Sequence, residues 1–217
     1  MKPAIKTTGQ ARLFKNPLLE LLTVSTPLES SITSISISIA CIWLGYSLTP
    51  DYGVIKAISI FLTGVFSWSF FEYLLHRYLF HLSDNAFPGS KRLGYILHGV
   101  HHEYPKDPSR TLMPFAPKVI FSLVFFAFFY ALLGTSGPFF SAGFLIGYYL
   151  YSMLHYAIHH FKAPAGFRFL WEHHLIHHHL HDDKAFGVSM PIWDKVFDTM
   201  PPKYDQKRKV ATGNSSQ

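Results

Sequence analysis

The sequence predicts an all-α integral membrane protein: four transmembrane helices capped by a cytosolic helical domain rich in histidine. Three observations predict it. Four apolar runs are long enough to cross a bilayer, the basic residues avoid two of the connections between them, and the histidines gather at the ends of the runs. Hydrophobic residues make up 49% of the 217, charged residues only 15%, and Phe alone contributes 21. That balance belongs to membrane proteins rather than soluble ones. The formal charge of +6 could serve nucleic acid or an anionic membrane surface. Because the basic residues flank apolar runs, the membrane is the expected partner and nucleic acid is not.

Residues 1–30 read as a cytosolic arm with Lys2, Lys6, Arg12 and Lys15. Within it Asn16-Pro17 is an N-cap followed by proline at the first helical position. Leu18, Leu19, Leu21 and Leu22 follow, so a short helix lying on the membrane is expected. A single domain is expected over 31–200, with spans at 31–49, 54–75, 117–134 and 138–158. Each is close to the roughly 20 residues a hydrocarbon core requires. Residues 76–116 and 159–200 form the expected cap, and 201–217 a flexible tail. The connections Ser47 to Gly53 and Gly134 to Pro138 contain no Lys or Arg. The arm, the middle segment and the tail hold most of the basic residues, so both termini are expected in the cytoplasm. The single Cys41 lies within an apolar run, which excludes an intrachain disulfide or a thiolate metal site.

Ten of the fourteen histidines form four spaced groups: His76 and His81; His98, His101 and His102; His155 and His159; His174, His177 and His178. Imidazole is the commonest protein ligand for transition metals. Spacings of three and four place side chains on one helix face. His76 and His81 are five apart and share a face only if the helix ends or distorts there. Ten ligands suit two ions with about five each, leaving coordination positions open. Carboxylates accepting the second imidazole N–H would offset the positive charge. Glu72, Glu103, Asp107 and Asp182 are candidates, with His160 and His173 as neighbours in support. Glu72 is the strongest of these, because an acid near the end of a spanning run needs a partner.

The four boxes HRYLFH at 76–81, HGVHH at 98–102, HYAIH at 155–159 and HLIHH at 174–178 resemble those of the membrane fatty acid hydroxylase/sterol desaturase superfamily. LHGVHHEYPKDPSRTLMP at 97–114 and FGVSMPIWDKVFDT at 186–199 are similar to extended motifs of its fatty acid 2-hydroxylase branch. The resemblance covers roughly residues 68–200. It implies a two-metal centre held by the ten histidines, iron in the active enzyme with zinc able to occupy the site in purified protein. It also implies O2, an electron donor, and hydroxylation of a fatty acyl chain beside its carbonyl, with no further catalytic residue. The branch often carries a cytochrome b5 domain. About 30 residues precede the first expected span, too few for one, so a separate electron-transfer protein is expected. The compact form favours a bacterial inner membrane over the endoplasmic reticulum. Where the branch commonly has Tyr-Asp before the third box, this chain has Tyr151-Ser152, kept as substrate-binding candidates. Phe80, Tyr104, Tyr148 and Tyr156 are candidates for lining a channel.

Two competing functions carry different expectations. Hydroxylation or desaturation of a sterol, carotenoid or other lipid would use the same metal chemistry. A metal transporter or metal-binding membrane protein would hold its ligands near the midplane, whereas here they gather at one end.

Overall fold

The computed structural model describes residues 5–202, so most of the expected tail lies outside the described residues. Those residues form helices and irregular segments, with no strand among them. Helix α1 (Pro17–Leu21) is capped by Asn16, whose side chain accepts from the backbone N–H groups of Leu18 and Leu19. Helix α2 (Pro27–Leu48) begins inside the segment expected to be arm. The cause is local: Thr26 Oγ1 accepts from Glu29 N at 3.2 Å, and Pro27 opens the first turn.

Helix α3 (Val54–Leu74) runs without a break into a π-helical turn at Leu75–Phe80. Helices α6 (Phe115–Leu133) and α7 (Gly137–His160) are separated by a 3-10 turn at Gly134–Ser136. Three continuous helical stretches are long and apolar enough to cross a membrane: Pro27–Leu48, Val54–Phe80 and the 46 residues Phe115–His160. The third folds back on itself. Phe129 packs on Phe140 at 4.5 Å between ring centroids, Phe125 on Phe144 at 5.0 Å and Phe121 on Tyr148 at 5.8 Å. Partners that advance in opposite directions make α6 and α7 antiparallel.

Helices α3 and α7 are the parallel centre of the bundle, and glycine lets them meet. A Cβ on Gly143 would collide with the Phe61 carbonyl, and one on Gly147 would lie 2.7 Å from the Val65 carbonyl. Small residues spaced by four allow this backbone approach, which apolar lipid does not otherwise drive. An aromatic core of Trp68, Phe129, Phe144 and Tyr148 fills the remaining space. Helix α2 joins by donating Ser38 Oγ to the Ala142 carbonyl at 3.0 Å.

Tyr52 and Ser136 hydrogen-bond at 2.6 Å, so both short connections lie at one end of the bundle. The opposite end carries helix α4 (Ser90–Gly94), a second π turn (Tyr95–Gly99), α5 (Val100–Glu103), α8 (Arg168–His179) and α9 (Ile192–Val196). The N-terminal arm is fastened there. Ala11 N donates to Asp107 Oδ2 at 2.9 Å, Lys6 pairs with Glu103 at 2.6 Å, and Arg110 pairs with Glu20.

Candidate metal centre

The ten grouped histidines come together as two nests of five. His76, His81, His98, His102 and His177 form one; His101, His155, His159, His174 and His178 form the other. Within each nest one ring nitrogen per residue lies within 4.8 Å of all the others. The HxxHH boxes are split rather than aimed at one point. His98 and His102 enter the first nest and His101 the second; His174 and His178 enter the second and His177 the first. Residues four apart are nearly aligned on a helix, whereas adjacent ones diverge by about 100°. Each box therefore reaches both nests.

The five-residue spacing of His76 and His81 is absorbed by the π turn. His81 N bonds to the His76 carbonyl at 3.1 Å, the i to i+5 pattern that widens a helix. The second π turn delivers His98 in the same way. Such insertions cluster at functional sites because they re-aim side chains without ending the helix.

Two backbone carbonyls set the imidazole tautomers. His76 Nδ1–H donates to Phe186 O at 2.6 Å, and His177 Nδ1–H donates to Lys184 O at 2.7 Å. Both Nε2 atoms then present lone pairs to the nest. Ala185, between those carbonyls, has φ 59°, in the left-handed region uncommon for residues with a side chain. Asp194 and Glu72 hold this loop. Asp194 accepts from Phe186 N, Gly187 N and Thr199 Oγ1 at 2.7–2.9 Å and meets His173 Nε2 at 3.1 Å. Glu72 accepts from Ser189 N at 2.8 Å and from the Ser189 hydroxyl.

Sequence similarity agrees with this geometry. The family model described as fatty acid hydroxylase matches residues 61–199. The chain belongs to the fatty acid hydroxylase family. It is 31% identical to a dihydroceramide fatty acyl 2-hydroxylase of Arabidopsis thaliana, over 91% of this chain and 83% of the relative. It is 33% identical to a human fatty acid 2-hydroxylase, over 90% of this chain but only 58% of that protein. Among solved structures, full-length scs7p with only its hydroxylase domain visible superposes with a TM-score of 0.81 at 33% identity. That match covers 89% of this chain and 73% of the other. These relatives include a plant and a human protein, which lends no support to the expected bacterial membrane.

The metal site implied by membership of the hydroxylase family fits the residues present. Two nitrogens bound side by side on one ion, each at about 2.0–2.1 Å, lie about 3 Å apart. Neighbouring Nε2 atoms are 2.9–3.1 Å apart in the first nest and 2.9–3.2 Å apart in the second. His98 Nε2 has two such neighbours, as do His101 Nε2 and His159 Nε2. One ring nitrogen carries a single proton or a single lone pair, so it cannot make two good hydrogen bonds of this kind. Convergence on a shared cation accounts for both contacts. Both ring nitrogens of buried His178 lack a hydrogen-bond partner among the described residues. Burial, followed by repulsion among the rings, holds His98, His101, His174, His177 and His178 well below the usual histidine pKa. They are therefore neutral and able to donate lone pairs.

Two cavities reach the nests of this hydroxylase fold from different sides. An apolar one of about 150 Å³ is lined by Phe80, Tyr148, Tyr151 and Ser152 and touches His98, His101 and His155. A larger, more polar one of about 670 Å³ reaches His81, His98, His102 and His178 beside Asp182 and Lys91. Tyr151 stacks parallel to His155 at 5.8 Å, and Ser152 Oγ donates to the Tyr148 carbonyl at 2.8 Å.

Two of the carboxylates expected near the histidines, Glu103 and Asp107, are placed elsewhere. Glu103 accepts from Lys6 and Tyr95, and Asp107 from Ala11 and Ser109. Both tie the arm and its loop. Glu72 reaches the imidazoles only through the loop it anchors. His160 stacks on Tyr156 and lies 3.3 Å from Thr111 Oγ1, while Tyr104 meets Lys6 at 2.8 Å. His173 supports the site through Asp194, a residue sequence reasoning missed. Its signal lay in the FGVSMPIWD segment, which carried a resemblance without a role.

Proposed function

We propose that this chain is a membrane-embedded dimetal oxygenase that hydroxylates a fatty acyl chain at C2. Its ten nest histidines are the ligands, five to each ion. Iron is the working metal, O2 the co-substrate, and a separate protein the electron donor. The observation that carries the reading is the meeting of the two imidazole nests with an apolar cavity. The names of the relatives, a dihydroceramide fatty acyl 2-hydroxylase and a fatty acid 2-hydroxylase, supply the substrate class and position.

In this reading α2, α3, α6 and α7 are four spans, and the histidine end caps them on the cytoplasmic side. The antiparallel packing of α6 on α7 supports two crossings for the 46-residue stretch. When bound, the ions would supply O2-dependent C–H oxidation, with one oxygen atom entering the C–H bond, the other leaving as water, and two electrons and two protons coming from outside.

The chain's own residues do the remaining work. Phe80, Tyr148 and Tyr151 shape an apolar wall that accepts a lipid and excludes water. The Phe186 and Lys184 carbonyls keep protons on Nδ1 of His76 and His177, so that Nε2 stays free for the metal. Asp194 and Glu72 hold those carbonyls still.

The test joins metal analysis to lipid mass spectrometry of cells expressing the full chain with an active electron donor. Accumulation of 2-hydroxy acyl chains that disappears in His101→Ala is expected. Lipids unchanged by the wild-type chain would contradict the proposal.

A further inference from the structure

Most residues lining the apolar cavity that touches His98, His101 and His155 are buried or half-buried. Among the described residues of that lining, only Leu22, Leu97 and Pro117 are exposed. Leu22 is 55% exposed and Leu97 39%. A side chain that lines a cavity and also faces outward marks its mouth. The three come from separate parts of the chain. Leu22 closes α1 in the N-terminal arm, Leu97 lies in the second π turn, and Pro117 in the first turn of α6.

The neighbours of this mouth in the chain are apolar and exposed as well. Leu18, Leu19 and Leu21 precede Leu22, Leu93 stands one turn before Leu97, and Phe115 stands two residues before Pro117. Exposed apolar residues gathered in this way mark contact with lipid or another partner. Lipid is favoured here because Pro117 stands where an apolar stretch fit to cross a membrane begins. The second cavity has a mouth of the opposite kind, with Asp84, Lys91 and Asp183 exposed in its lining. Charge of both signs belongs to water.

We propose that Leu22, Leu97 and Pro117 frame the entrance through which the acyl chain of a lipid passes from the bilayer to the histidine nests. The inference rests on the acyl hydroxylase reading given above. The arm then does more than fasten the cap. Arg110 Nη1 donates to Thr23 O at 2.6 Å, which fixes the backbone beside Leu22. Asp107 Oδ2 holds the arm again at Ala11 N, 2.9 Å away. Leu13, between these two ties, also lines the cavity. One edge of the entrance is thus a strap from the N-terminal arm, and another is the residue next to His98. Arg110 itself belongs to the lining, but it is buried and paired with Glu20.

The experiment measures 2-hydroxy acyl lipids and metal content per chain in cells expressing the full protein with an active electron donor. Leu22→Trp and Leu97→Trp each add bulk at the mouth. Each is expected to lower product about tenfold, the effect of forcing a larger side chain into an occupied space, and to leave metal content unchanged. Leu22→Ala and Leu97→Ala remove bulk from the same positions and are expected to keep at least the wild-type yield. Leu18→Trp and Leu21→Trp place the same bulk on exposed positions of α1 outside the lining. They serve as controls and are expected to match wild type. Wild-type yield in either Trp variant at the mouth would overturn the entrance while leaving the hydroxylase reading intact. Equal loss in the Ala and Trp variants, or product lost together with metal, would show a structural role and overturn it too. A wild-type chain that makes no 2-hydroxy product would overturn the underlying reading and this inference together.

Discussion

The nest of His101, His155, His159, His174 and His178 is buried at all five positions, whereas in its neighbour His81 and His102 are only half-buried. The buried nest is fed by the long helix α7 and by α5 and α8, and its His101 and His155 border the apolar cavity. The half-open nest depends on two π turns and on a loop whose carbonyls hold His76 and His177, and its His81 and His102 border the polar cavity. Five imidazoles are thus set in a fully buried frame on one side, and five others in an irregular, partly open frame on the other. Under the proposed function, the difference would suit a division of labour in which lipid approaches mainly the buried nest and protons and electrons mainly the half-open one, although His98 also borders the apolar cavity and His178 the polar one.

Substitution of nest histidines should give the largest effects. His101→Ala is expected to lower hydroxylated product by more than about 100-fold, the upper end for disturbing only the support of a ligand. Metal content should fall towards one ion per chain. His81→Ala should cost less metal, because water can reach its place. Equal metal loss in the two variants would remove the distinction between the nests.

Asp194→Asn separates the frames. It weakens the loop that positions His76 and His177 and contacts His173, but it touches none of the five histidines of the buried nest. Loss of activity by about 10–100-fold is expected, with spectroscopic change confined to one ion. Perturbation of both ions alike would contradict the assignment of the loop to one nest. Exposure to a chelator should remove metal in two phases, the half-open nest first; a single phase would contradict the burial difference.

The smallest expected effect lies in the arm. Burial alone would raise the Glu20 pKa, but the Phe14 and Leu13 N–H groups and Arg110 outweigh it and hold the carboxyl below its ordinary value. A depressed carboxyl pKa stabilises the fold above the unfolded value and loses that contribution as pH falls through the folded one. Below about pH 4.5 the arm should therefore loosen before the histidine-bearing helices, seen as faster hydrogen exchange around Ala11 and Thr23. Uniform loosening would contradict a local role for Glu20.

Much of this contrast was legible in the residues. Apolar run length marked α2, α3, α6 and α7, and histidine spacing marked all ten nest residues. The partition between nests was not, because boxes expected on one face divide by their 100° steps and each serves two points. The π turns were hidden too, apart from the awkward interval between His76 and His81. Asp194 and the carbonyls of Lys184 and Phe186 were beyond reach for a different reason. Backbone acceptors leave no trace in residue type, and the loop that carries them returns to the site from more than 100 positions beyond His76. The contacts of Glu103, Asp107 and Arg110 with the arm are also distant in sequence, 87–99 positions apart.

The most direct test of the central claim is metal quantification with anomalous diffraction on the purified full chain. The account predicts two ions, one within each five-histidine nest. One ion shared by all ten histidines, or metal bound outside them, would contradict it.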